Sequence, residues 1–219
     1  MRTMICHFVG VLMALWLVTG ADAALHFNFA PDRADYQALP GARVMVQLFL
    51  EEQAAPPDSS LLVAESGLFS AGLKLGALAP LPTEPASVLS ASDIVADPAF
   101  TGGSLKSLSP LTLLLNDGIL AEPGPAGDLV SDGLRRVRLA TLWFTAGKVP
   151  GEVTTFKITD FDDFGISSDT LTWQGTELDK SITPGQFAVT IVPAPGAALM
   201  FVALGVPALL VRRRSRRSA

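Results

Sequence analysis

Arg43-Val44-Met45-Val46-Gln47-Leu48-Phe49-Leu50 is the stretch on which the fold turns. Val44, Val46, Leu48 and Leu50 recur at every second position, so an extended chain puts all four on one face. No Gly or Pro interrupts the run, and β-branched, aromatic and leucine side chains fill a pleated, half-buried surface well. The same alternation returns from Arg135 to Phe144. There Val137, Leu139, Thr141 and Trp143 face one way, and Arg136, Arg138, Ala140, Leu142 and Phe144 the other. Because the apolar content rises toward Phe144, this strand is expected to run from a half-solvated end into a buried interior, with Trp143 in the core.

Working outward, Val153, Thr155 and Lys157 alternate with Thr154, Phe156 and Ile158, and Phe187, Val189 and Ile191 alternate before the next proline. Residues 61–63, 67–75, 111–115 and 170–173 are further strand candidates. Residues 80–98 read as loop with a short helix near 91–95, and the two prolines and two glycines of 121–127 forbid regular pairing. Leu81-Pro82-Thr83-Glu84-Pro85 is likewise loop. Many short strands separated by turn residues, with no repeat and no long helical period, predict a mainly β fold: an antiparallel two-sheet sandwich.

The ends follow a different logic. Arg2, the apolar run 5–18 and Ala21-Asp22-Ala23 form a signal peptide with cleavage before Ala24. Cys6, the only cysteine, lies inside it, so the exported chain is expected to hold together without disulfides. At the other end, Val192-Pro193-Ala194-Pro195-Gly196 precedes an apolar segment, 197–211, and the basic stop Arg212, Arg213, Arg214, Arg216 and Arg217. A basic cluster after an apolar span stays cytoplasmic, so the preceding chain faces outward. The domains are therefore a signal peptide, 1–23, an extracytoplasmic β-sandwich, 24–191, and a terminal signal, 192–217. The sandwich would be flanked by a signal helix and a C-terminal transmembrane helix. That span is short of the ~20 residues a full crossing prefers and contains Pro207, which suits a temporary anchor.

This ordered triplet resembles the PEP-CTERM sorting signal of exported Gram-negative proteins, with Ala194 standing where that family has Glu. The resemblance implies export by the Sec machinery, cleavage by signal peptidase, transient anchoring in the inner membrane with the domain in the periplasm, and processing by an exosortase-type membrane protease. The product would reach the cell surface or be secreted, in contact with extracellular polysaccharide. A permanently anchored ectodomain is the alternative. A second resemblance covers much of 25–192. The strand 43–50 followed by Val63 and Ser66 to Leu73, then Arg138 to Gly147, Val153 to Asp160 and Ser181 to Val192, is similar to cohesin-like jelly-roll domains. It implies a jelly-roll sandwich; no residue identifies a dockerin partner.

Removing both ends changes the charge. Between Ala24 and Pro195 there are 10 basic and 20 acidic residues, a net charge of −10. Phosphate binding needs Lys and Arg, so nucleic acid is not an expected partner. Polysaccharide and divalent cations fit better. The exported chain has one histidine, His26, near its mature end, and no cysteine, so Cys/His zinc chemistry is excluded. Neither a nucleophile elbow nor a phosphate-cradling glycine loop is present. The expected protein is not an enzyme and has no cofactor, with calcium the one candidate ion; a secreted carbohydrate-active enzyme with paired carboxylates is the alternative.

The densest acidic stretch is Asp160-Phe161-Asp162-Asp163-Phe164-Gly165, with Asp169 nearby. Hard carboxylate oxygens on a turn suit Ca²⁺, which makes Asp160, Asp162, Asp163 and Asp169 the candidate ligands. The stretch is not an EF-hand loop, because Phe164 and Leu171 occupy its fifth and twelfth positions. A polar turn whose Asp side chains cap backbone amides, with Phe161 and Phe164 packed inward, is the other reading.

Overall fold

A computed structural model describes residues 25–55, 59–118, 122–161 and 169–195. The expected signal peptide with Ala21, Ala23 and Ala24, the 197–211 segment, Gly196, and the arginines expected to form a basic stop all lie outside the described residues. So do Asp162 and Asp163. Among the described residues no helix is long and apolar enough to cross a membrane.

Among the described residues thirteen strands occur in order: β1 (His26–Pro31), β2 (Asp35–Ala38), β3 (Arg43–Gln53), β4 (Leu68–Ala77), β5 (Ile94–Ala96), β6 (Gly103–Leu108), β7 (Leu111–Asn116), β8 (Asp128–Ser131), β9 (Leu134–Thr145), β10 (Val153–Asp160), β11 (Leu171–Thr172), β12 (Ile182–Thr183) and β13 (Gly185–Ile191). One sheet runs β12-β1-β3-β9-β5, with β8 also paired to β9. The other runs β2-β13-β10-β4-β7-β6, with β11 also paired to β4. Their inner faces meet in one apolar core. Val46, Leu48, Leu50, Leu139 and Phe144 come from the first sheet; Leu73, Ile158, Phe187 and Val189 come from the second. Phe187 is its aromatic hub, with ring centroids 5.1 Å from Phe156, 5.6 Å from Phe144 and 5.8 Å from Tyr36.

The sandwich is mixed rather than purely antiparallel. β1 pairs with β12 in parallel, and β2 pairs with β13 in parallel. The two ends of the domain lie side by side and change sheets together, between Pro31 and Asp35 on one segment and at Pro184 on the other. Proline at 184 has no amide to donate, which ends β12 there. Gly185 follows with Phe29's carbonyl against its Cα, where a Cβ would collide. At the facing switch, Asp32 Oδ1 accepts from the Tyr36 hydroxyl at 2.5 Å and the Gln47 amide at 2.7 Å. Burial, then this bond and the charge of Asp32, push the phenol of Tyr36 far up.

On β3, Val44, Val46, Leu48 and Leu50 do share the buried face. The expected phase of β9 fails halfway. Ala140 pairs with Leu48 and Arg138 with Phe49, so Leu139 is an extra residue: a β-bulge. Val137 and Leu139 point inward before it, and Ala140, Leu142 and Phe144 after it. The bulge turns Trp143 outward. Trp143 is half-buried rather than core, with the Arg43 guanidinium 4.9 Å from its ring centroid.

Other segments also depart from expectation. Residues 61–63 are a turn, because the buried carboxylate of Glu52 accepts from the amides of Leu61 (2.6 Å) and Leu62 (2.9 Å) and takes them away from any ladder. The helix expected near 91–95 shrinks to a single 3₁₀ turn, Ala91–Asp93, which leads into β5. The Leu81–Pro85 stretch is loop as read, held by Glu152, whose carboxylate accepts from the amides of Thr83 and Glu84.

Each sheet has one discontinuity. β10 and β11 pair with the same edge of β4, at 73–77 and 68–70 respectively, leaving a gap at Ala71 and Gly72. β5 and β8 pair with the same edge of β9, at 140–142 and 134–136, leaving a gap at the bulge. Charged side chains collect at both.

Candidate metal centre

The chain leaves β10 at Asp160 and re-enters the sheet at β11, so the residues that bracket the excursion come back together beside Gly72. Asp169, Thr170 and Leu171 bring it back. The 3₁₀ turn Asp179–Ser181 then places a third carboxylate alongside. One oxygen from each of Asp160, Asp169 and Asp179 lies within 4.8 Å of the others, and all three residues are half-buried.

Thr170 organises the cluster. Its side chain is fully buried, and its hydroxyl accepts from the Gly72 amide at 3.2 Å, a donor that the gap leaves without a strand partner. The same hydroxyl lies 3.3 Å from Asp169 Oδ1 and 3.5 Å from Asp160 Oδ1. Its one proton can go to only one of them. The Thr170 amide donates to Asp179 Oδ1 at 2.9 Å. Asp179 Oδ2 is buried, and no described residue donates a hydrogen bond to it while Asp169 is ionised.

Gly72 lets the carboxylates approach. A Cβ built there would lie 2.5 Å from the Asp169 carboxyl carbon, so only hydrogen fits beneath that group. Burial raises the Asp169 carboxyl to about 7, with the negative charge of Asp160 and then the hydrogen bond and charge of Asp179 adding to it; the bond from Thr170 acts the other way. Three carboxylates close to one another thus repel, and Asp169 bears the effect. Either a proton on Asp169 or a cation among them relieves the repulsion. The donors are all hard oxygens, which suits Ca²⁺ and not a soft thiophilic metal.

The pH response follows from this raised group. Unfolded, Asp169 titrates near 3.8; folded, near 7. Between those values the folded state binds a proton that the unfolded state lacks, so stability is highest at the acid end and falls as pH rises through about 7. Without divalent ions, the thermal midpoint is expected to fall between about pH 5 and about pH 8, and Asp169→Asn should remove that slope. An equal slope in the variant would assign it to other groups.

Of the sequence-derived candidates, Asp160 and Asp169 are brought together, and Asp162 and Asp163 lie outside the described residues. Asp179 was missed, because nothing in Leu178-Asp179-Lys180 marks it and it stands 19 positions from Asp160. The chain folds back on itself, with Leu171 bridged to Glu177 and the Leu178 amide donating to the Thr170 carbonyl at 3.0 Å, which brings Asp179 beside Asp169; the pairing of β11 with β4 sets both beside Gly72. Trp173, adjoining β11, is half-buried, and its amide donates to the Gly67 carbonyl at 3.2 Å. Beside the cluster, a shallow groove of about 630 Å³ crosses the outer face of β4, β7 and β6, between Asp169, Ser70, Asn116, Leu114 and Leu105. Leu105 is 72% exposed there. The tail motif begins where the last strand stops: the Val192 amide donates to the Ala38 carbonyl at 2.8 Å, and Pro193, Ala194 and Pro195 continue without strand pairing.

The molecule is thus a mainly β, two-sheet sandwich module with an acidic cluster at a sheet gap. No protein-family model matches the chain. No curated protein matches it either. Among solved structures it is similar to CaCohA2 from Clostridium acetobutylicum, with 11% identity, 76% of this chain and 92% of that chain covered, and a TM-score of 0.45. It is also similar to a type III cohesin module from the cellulosomal ScaE cell-surface anchoring scaffoldin of Ruminococcus flavefaciens, with 10% identity, coverage of 78% and 91%, and a TM-score of 0.42. The N-terminal domain of the Streptococcus gordonii adhesin Sgo0707 shares 12% identity over 76% of this chain and 32% of its own, with a TM-score of 0.27.

Proposed function

We propose that this chain is an exported, non-enzymatic β-sandwich module of the cell surface or extracellular matrix, sorted through its PEP-CTERM-like tail, associated with exopolysaccharide and fastened by calcium. The observation that carries the calcium part is the convergence of one oxygen each from Asp160, Asp169 and Asp179, together with a buried Asp179 Oδ2 to which no described residue donates a hydrogen. An ion there neutralises the repulsion that raises Asp169 and ties together β10, β11 and the Asp179 turn. The excursion between Asp160 and Asp169 is then closed at its base by metal rather than by strand pairing.

The crowding of three oxygens on one point also supports a binding role over a hydrolytic one. A glycosidase pair flanks a bond, with its carboxyl groups about 5–5.5 Å or about 6.5–9.5 Å apart and a sugar ring between them. Gly72 and Thr170 fill the floor here instead.

Two measurements test this reading. Millimolar Ca²⁺ is expected to raise the thermal midpoint by several degrees at about pH 8 and by less at about pH 5, where protonation of Asp169 competes with the ion. Gly72→Ala should abolish the response, because the added methyl displaces the Asp169 carboxyl. An unchanged midpoint at about pH 8 would refute the calcium site. Intact-mass analysis of the protein from its host should show loss of both 1–23 and the basic tail; retention of the tail would leave a permanent anchor.

A further inference from the structure

At the gap in the first sheet, between β5 and β8 on the edge of β9, lies a second groove of about 390 Å³. Its lining includes Gln47, Phe49, Asp97, Asp128, Arg136 and Arg138. We infer that this groove is a binding site for a neutral, hydroxyl-rich glycan chain, with the outward ring of Trp143 extending it along the sheet. The inference rests on the reading of the chain as a surface module that meets polysaccharide.

The chemistry of the lining carries it. The charged side chains named there balance: two guanidiniums and two carboxylates. The guanidiniums are held before any ligand arrives: Arg138 Nε donates to Asp97, and Arg136 Nε donates to Glu51 Oε1 at 2.7 Å while its guanidinium lies 4.7 Å from the Phe49 ring centroid. Asn28 Nδ2 fixes the other oxygen of Glu51 at 2.9 Å. Each guanidinium has five N–H groups, so fixing one or two leaves donors for a ligand. With both guanidiniums already paired to carboxylates, an ionic ligand gains little from net charge there. A sugar hydroxyl both donates and accepts, and so can bond to Gln47, Asp128 and Arg138 without disturbing these ion pairs.

The geometry has the right form as well. The bulge at Leu139 makes Trp143 and Thr141 outward residues in line with Arg138 and Arg136, opposite Met45, Gln47, Phe49 and Glu51 on β3. From Met45 to Phe49 this face runs about 14 Å at ~3.4 Å per residue, longer than one sugar ring. An aromatic surface beside planar polar groups suits a pyranose, which has an apolar C–H face and a polar rim. The walls, residues 97–99 and 125–128, come from the two segments that share the β9 edge.

The test is affinity electrophoresis of the full-length chain in mild detergent, in native gels cast with dextran, galactomannan or alginate. Retardation by a neutral polysaccharide is expected, with Gln47→Ala and Arg138→Ala each weakening it about tenfold, while Leu105→Ala on the opposite sheet leaves it unchanged. Arg138→Lys should restore little, because the ammonium lacks the planar fork. Gln47→Ala breaks no ion pair, so it keeps the test decisive if Arg138→Ala loses its fold. Retardation that survives the Gln47 and Arg138 changes overturns this site and leaves the polysaccharide association standing. Retardation by alginate alone overturns the neutral ligand. No retardation in any gel overturns both.

Discussion

Glu52→Ala is expected to lower unfolding free energy by about 3 kcal/mol or more, because one buried carboxylate satisfies three donors. Glu52 is fully buried at the end of β3, and accepts from the Ser60 hydroxyl at 2.5 Å and from the amides of Leu61 and Leu62. Removing it strands the buried Leu62 amide, at about 1–3 kcal/mol, and leaves the half-buried Leu61 amide without its acceptor. It also frees the 60–62 turn, which closes the end of the core through Leu62. Glu52→Gln should recover only part of the loss, since its NH₂ turns a donor toward groups that need an acceptor. Urea denaturation of both variants measures this. A loss below about 1 kcal/mol for the alanine variant would mean that water reaches the turn and replaces the carboxylate.

Phe187→Ala is expected to cost about 3–5 kcal/mol, the range for deleting a large aromatic from a packed interior. For a domain of this size that corresponds to roughly 10 °C or more in thermal midpoint. The reason is position rather than size alone. Phe187 packs against Phe156 and Tyr36 from its own sheet and Phe144 from the other, so its loss opens a cavity at the sheet interface. Phe187→Leu should recover most of the stability. Phe100→Ala makes a useful comparison: Phe100 is buried too, in the loop between β5 and β6, and its ring has no aromatic pair among the described residues. Equal losses for the two would argue that the hub is not special.

The alternation of Val44, Val46, Leu48 and Leu50 was legible because side-chain direction along an extended chain is a local property. It survives into the structure unchanged. On β9 the same reasoning works up to Leu139 and then inverts, since a bulge inserts one residue and is set by the partner strand, not by the residues themselves. That inversion moves Trp143 from the expected interior to the outer face, and so creates the aromatic surface beside the second groove. The acidic cluster was half legible. Asp160 and Asp169 stand out in an acid-rich stretch, whereas Asp179 becomes their neighbour only because 176–178 folds back on 170–172 and β11 joins β10 on the edge of β4.

By itself the amino-acid sequence determined that this is a β protein with one apolar face per strand, an acidic and thiol-free body, and ends of a different character. All of these depend on residue identity and nearest-neighbour spacing. The tertiary structure alone decided that the terminal strands run parallel and switch sheets together, that three carboxylates meet beside Gly72, and that Glu52 rather than a strand partner holds residues 60–62. Those outcomes depend on which distant segment lies alongside. Contact between residues far apart in the chain is a consequence of packing the whole core, and no local pattern encodes it.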